Sequence, residues 1–140
     1  MILGVHPYLI LNGNGKEAVE FYKHALDAEV LALSTYGEFS ADEEFKLPEE
    51  AKDLIVHANL KIGNTFLMIS DNFPTEPYEQ GSQVDVAVLL KDGNKAREVY
   101  EKLQQGGEVI MELQETPWSP TYGQVRDKFG VKWQISTYDM

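Results

Sequence analysis

The chain has 140 residues, 43% of them hydrophobic, enough for about one domain with a real core. Its 23 acidic and 12 basic residues leave a net charge of −11, which argues against nucleic acid as a partner, because displacing phosphate counterions needs clustered Lys and Arg. The absence of cysteine excludes a disulfide framework and a thiol nucleophile, and no window approaches the roughly 18 apolar residues of a membrane span, so a cytoplasmic protein with no membrane partner is expected.

Pro7-Tyr8-Leu9-Ile10-Leu11 is too short for a helix before Asn12-Gly13-Asn14-Gly15 and reads as a strand buried on both faces. Asn14 and Glu17 make a capping-box signal for a helix over 16–26, in which Ala18, Phe21, Tyr22 and Ala25 share one face. A strand over 29–36 follows. The stretch 37–53 has no period, carries the acidic residues from Asp42 to Glu50, and reads as a mobile insertion able to gate a site. Next, Gly63-Asn64 joins two alternating runs, 54–62 and 65–70, in a two-residue hairpin. Closing it there sets Leu60 opposite Leu67, Ala58 opposite Ile69, Asn59 opposite Met68 and His57 opposite Ser70. The period of two then puts Ala58, Leu60, Leu67 and Ile69 on a side suited to a helix, and His57, Asn59, Met68 and Ser70 on a side suited to a pocket or water.

After a connector over 73–81 the order repeats. A strand over 84–90, a helix over 94–105 ended by Gly106-Gly107, and a strand over 108–113 lead through a loop at Pro117-Trp118-Ser119-Pro120 to a hairpin, 122–126 and 131–137, turning on Asp127 to Gly130. Ala18, Phe21, Tyr22 and Ala25 recur as Ala96, Val99, Tyr100 and Leu103, an offset of 78 (100 − 22), and Glu29-Val30-Leu31 recurs as Glu108-Val109-Ile110. Each half is a strand, a helix and three strands. Two modules, about 1–72 and 82–140, are therefore expected to make one domain over 1–140 with its site between the copies.

Two βαβββ units in tandem, with Pro7-Tyr8-Leu9-Ile10-Leu11-Asn12-Gly13-Asn14, Glu20-Phe21-Tyr22, His57-Ala58-Asn59-Leu60, Met68-Ile69-Ser70-Asp71 and Asp127-Lys128-Phe129-Gly130-Val131-Lys132-Trp133, resemble the glyoxalase/bleomycin-resistance/dioxygenase (vicinal oxygen chelate) superfamily, and within it the PhnB-like branch. The resemblance implies an α+β fold of curved mixed sheets around clefts, helices on the outer face, and a homodimer. In metal-dependent members it places one ligand on the first and fourth strand of each unit, which fall here at about Pro7, Met68, Asp85 and Gln134. Only Asp85 is a good ligand, so neither a metal nor another cofactor is expected.

The polar side of the first hairpin makes His57 the leading candidate, beside Ser70 and near Asn59, since an imidazole can exchange a proton near neutral pH. Asp85 and Gln134 are candidates to hold a ligand from the second module, and Trp118 to cover it with an aromatic surface. His24 is expected in solvent, His6 in a structural role, Trp133 in the core, and Asp27 in the left-handed conformation where the family pattern has Gly. The expected function is metal-free binding of a small organic molecule. Two alternatives stay open: sequestration of a cationic glycopeptide antibiotic, favoured by the acidic charge, and a lyase or dioxygenase type of enzyme with an unusual metal site or with His57 as acid/base.

Overall fold

The computed structural model describes residues 1–39 and 47–138, which fall into two units, Met1–Glu79 and Gln80–Met140. In the first unit, β1 (Tyr8–Leu11), α1 (Gly15–Ala25), β2 (Glu29–Thr35), the short helical turn α2 (Tyr36–Phe39), a single 3-10 turn at Glu49–Ala51, β3 (Ile55–Ile62) and β4 (Thr65–Asp71) follow one another. Their strands form a sheet in the order β1-β4-β3-β2, with β1 parallel to β4 and the other pairs antiparallel. The second unit holds β5 (Val86–Leu90), α3 (Gly93–Leu103), β6 (Glu108–Thr116), β7 (Ser119–Arg126) and β8 (Lys132–Thr137), in the sheet order β5-β8-β7-β6. The fold is α+β, two βαβββ modules with mixed four-stranded sheets, as the duplication predicts.

Each helix packs its apolar stripe on one face of its own sheet, α1 against β3 and β4, α3 against β7 and β8. On α1 the buried residues are Ala18, Val19, Tyr22 and Ala25, while Phe21 stays half-buried and turns its ring edge toward Tyr22. On α3 they are Ala96, Val99 and Leu103. Ala58, Leu60, Leu67 and Ile69 meet the first helix side, and Val125, Trp133 and Ile135 are their buried counterparts in the second unit. The hairpin closes on Gly63-Asn64 with Leu60 opposite Leu67, Ala58 opposite Ile69 and Asn59 opposite Met68, the register that alternation predicts.

The repeat is closer than its sequence suggests, and its small offsets are informative. Leu11 and Leu90 end the first strands 79 apart (90 − 11), whereas the helices start at Gly15 and Gly93, 78 apart (93 − 15). Past the helices, Asp27 and Gly106 both have positive φ, 50° and 75°, and are again 79 apart (106 − 27). Asp27 thus takes the left-handed conformation expected of it. Both second strands then carry a bulge at the same place, between Val30 and Ala32 and between Val109 and Met111.

Several expectations need correction. Strand β1 is covered on one side only: Leu11 is buried, but Tyr8 and Ile10 are exposed, because α1 packs on one face of the sheet. The capping box does not form. Asn14 is the N-cap residue but makes no side-chain cap bond, and the α1 amide of Gly15 is taken by Asp71 from β4 instead. The expected loop at 117–120 is a tight turn between β6 and β7, with Ser119 and Pro120 already in β7. The ends of the 37–53 stretch are structured, since Tyr36 N–H donates to Leu54 C=O at 2.9 Å, Gly37 N–H to Lys52 C=O at 3.1 Å, and Ala51 is buried. The rest of the expected gate, residues 40–46, lies outside the described residues.

Candidate functional site

Alternation leaves each sheet with a face that its helix does not cover. In the first unit that face carries Tyr8 and Ile10 of β1, Met68 and Ser70 of β4, and His57 and Asn59 of β3, which follow from the pairings Tyr8 with Met68, Ile10 with Ser70 and Asn59 with Met68. His57 is half-buried, and its Nδ1 lies 3.1 Å from the Tyr8 hydroxyl, the phenol donating when Nδ1 carries no proton. The rings are tilted against each other with centroids 5.8 Å apart. The imidazole therefore answers to Tyr8 rather than to Ser70, the partner expected from the hairpin. The sequence reading set Pro7 at this position of the first strand, and the parallel pairing of β1 with β4 puts Tyr8 there instead.

Asn59 is the unusual residue on this face. Its Oδ1 is fully buried and, among the described residues, accepts no hydrogen bond. A buried amide oxygen without a donor costs about 1–3 kcal/mol relative to a satisfied one.

Behind the face, Asp71 organises the backbone. Its Oδ1 accepts from the Gly13 and Gly15 amides at 3.1 and 2.8 Å, and its Oδ2 from the Ile55 amide at 2.8 Å. One carboxylate thus joins the β1–α1 turn to the start of β3. Tyr36 donates its hydroxyl to the Asp71 carbonyl at 2.9 Å. Burial, with Asp71 and Tyr8 adding to it, pushes the Tyr36 phenol above its ordinary range.

In the second unit the uncovered face carries a connected set. Gln134 Nε2 donates to Asp85 Oδ2 at 3.0 Å, Tyr122 donates to Gln134 Oε1 at 2.7 Å, and Gln124 Nε2 donates to the Tyr122 oxygen at 3.0 Å. Lys132 Nζ stands 3.7 Å from the same Asp85 oxygen. Trp118, 63% exposed in the β6–β7 turn, presents its ring edge-on to Tyr122 with centroids 5.1 Å apart. Asp85 and Gln134 are therefore brought together, and Trp118 joins them through Tyr122. Sequence reasoning missed Tyr122, Gln124 and Lys132, although their alternation across the Asp127–Gly130 hairpin, in phase with Gln134, was the available signal.

The remaining histidines behave as expected. His24 is exposed on α1, and His6 accepts the Phe66 amide on Nδ1 at 3.2 Å while meeting the Phe66 ring edge-on. Trp133 is buried and donates its indole N–H to Asp127 Oδ2 at 2.8 Å.

The model of the glyoxalase/bleomycin resistance protein/dioxygenase superfamily matches residues 4–135. The chain belongs to that superfamily. Protein YjdN of Escherichia coli K12 is 32% identical to it over 141 residues, covering 93% of this chain and 92% of the relative. The crystal structure of PA1353 from Pseudomonas aeruginosa superposes with a TM-score of 0.87 at 34% identity, covering 98% of each chain. A PhnB protein from Bacillus cereus, described as a putative 3-demethylubiquinone-9 3-methyltransferase, shares the fold with a TM-score of 0.75 at 24% identity over 95% of this chain and 98% of its own.

Membership raises the question of the superfamily's metal. The strand register sets Tyr8 opposite Met68, one residue past the expected Pro7, and Ala87 opposite Gln134, two residues past Asp85, whose carboxylate still meets the Gln134 amide at 3.0 Å. Beside the single carboxylate of Asp85 stand a phenol, a thioether and an amide, not the several imidazole or carboxylate donors that a divalent transition ion takes. Among the described residues, no three His, Cys, Asp or Glu side chains are grouped to hold one. The donor set does not fit the metal.

Proposed function

We propose that the chain binds a small organic molecule on the uncovered sheet faces without the help of a metal, with the two modules acting as one domain. Asn59 carries this reading, because a fully buried oxygen that accepts nothing is a cost to the fold and an asset to a ligand with a donor. His57 and Ser70 would line the same face, and Asp85, Trp118 and Gln134 the face of the second module. Exposed Ile2, Leu3 and Val5 support a homodimer in which a second copy covers them, and the absence of cysteine suits a reducing cytoplasm. The test is a titration of chelator-treated, 15N-labelled protein with phenol. The side-chain amide signal of Asn59 should move at saturating phenol, and in Asn59→Leu, which lacks that amide, the neighbouring signals should respond at least tenfold more weakly. Binding that appears only after a divalent metal is restored would defeat the proposal.

The 3.1 Å contact between Tyr8 and His57 favours a second reading, proton transfer on the bound molecule. Under it, His57→Gln would leave binding in place and remove turnover of whatever ligand the protein carries; loss of both together would speak against it.

A further inference from the structure

We infer that the uncovered face of β5 and β8 is built to recognise an aromatic ligand through a hydrogen-bond donor, O–H or N–H, and that Asp85 sets this polarity from a distance of three side chains. The inference rests on the reading of the uncovered faces as binding faces and adds the class of molecule they select.

The argument follows the protons. An ionised carboxylate can only accept, so the Gln134 amide must turn its nitrogen toward Asp85, at 3.0 Å, with Lys132 close by to balance the charge. That orientation leaves Gln134 Oε1 facing Tyr122, whose single proton is committed to it at 2.7 Å. The Tyr122 oxygen must then accept, and it does, from Gln124 Nε2 at 3.0 Å. Gln124 thus ends the chain with its amide nitrogen turned inward and its carbonyl oxygen left over. Each link admits one direction only, because the carboxylate at the start admits one. Tyr122 and the exposed Trp118, at an interplanar angle of 79°, add the aromatic surface against which a ring can lie.

The first module supports the same conclusion by a different construction. Asn59 pairs with Met68 across β3 and β4 as Gln124 pairs with Gln134 across β7 and β8, so the two amides hold equivalent places in the repeat. Asn59 has no chain to orient it, yet it too offers a carbonyl oxygen without a donor. An amide acceptor at this register is thus common to both halves, although the residues around it differ.

Phenol and anisole test the inference, since they share a ring and an oxygen but only phenol has a proton to give. Each is titrated into 15N-labelled protein, following the side-chain amides of Gln124 and Gln134 and the indole N–H of Trp118. Phenol should bind at least tenfold more tightly than anisole. In Asp85→Asn, where an amide can give as well as accept, the chain can run either way and the preference should fall to threefold or less, with melting used to confirm the fold. In Gln124→Leu the terminal acceptor is gone and the preference should vanish with Asp85 intact. Equal affinities in the unmodified protein, or a preference untouched by Asp85→Asn, would overturn the inference while leaving the binding face standing. If neither compound moved any of these signals up to its solubility, the binding face itself would fall, and the inference with it.

Discussion

The two modules share a backbone plan and differ in what ties it together. In the first, a single buried carboxylate, Asp71, accepts three backbone amides from the β1–α1 turn and from β3. In the second, the helix is capped locally, Asp92 accepting the Asn94 amide at 2.9 Å, and the strand ends are joined by Ser119 and Thr137 through hydroxyl bonds of 2.8 to 3.2 Å. Asn72 N–H to Leu11 C=O and Tyr138 N–H to Leu90 C=O mark the corresponding points at which β4 and β8 leave their sheets. The duplicated fold thus tolerates two solutions to one problem, one concentrated in a single side chain and one spread over several. The concentrated solution should be the more fragile.

The largest test of that contrast is Asp71→Ala. It strands three amides, two of them in buried bonds, and should cost about 3–5 kcal/mol by denaturant unfolding, given roughly 1–3 kcal/mol for each buried donor left unmatched. Asp92→Ala removes an exposed cap bond and should cost about 1 kcal/mol. Similar losses would break the comparison. Gly15 and Gly93 sharpen it: a Cβ at Gly15 would sit 2.7 Å from Asp71 Oδ2, in a carboxylate that its partners hold in place, whereas at Gly93 it would meet Thr121 Oγ1 at 3.3 Å. Gly15→Ala should destabilise by about 2 kcal/mol through overpacking, and Gly93→Ala by under about 0.5 kcal/mol, because the gain in helix propensity offsets a mild contact. A smaller effect is expected at the helix ends. Gly106→Ala, which puts a side chain at φ 75°, should lower stability by about 1 kcal/mol in denaturant unfolding.

Much of the fold was legible because it rests on local periods. The stripe at Ala18, Tyr22 and Ala25, the Gly63-Asn64 turn and the alternation of Leu60 with Asn59 are each properties of a short window, and the repeat doubled their weight. What the windows could not show was partnership across distance. Asp71 reaches 56 residues back to Gly15, and Tyr8 reaches 49 forward to His57, so neither the true cap of α1 nor the partner of the histidine was visible locally. The nearby signal, Asn14 with Glu17, pointed to a capping box that does not form. On the candidate site, the residue types at Asp85 and Gln134 suggested groups to hold a ligand and Trp118 an aromatic cover. The chain that links them needs Tyr122 and Gln124, whose roles depend on which strand lies beside which.

The claim at the centre is that Asn59 is kept for a ligand at the expense of the fold, whereas Gln124, its counterpart, already serves the fold through Tyr122. Paired melting of Asn59→Leu and Gln124→Leu in ligand-free protein tests it most directly. Asn59→Leu should stabilise by about 1 kcal/mol, since it removes a buried oxygen that nothing satisfies, and Gln124→Leu should destabilise by about 1 kcal/mol, since it removes a hydrogen bond. If Asn59→Leu destabilised the protein as Gln124→Leu does, the oxygen would belong to the fold after all, and the account would be contradicted.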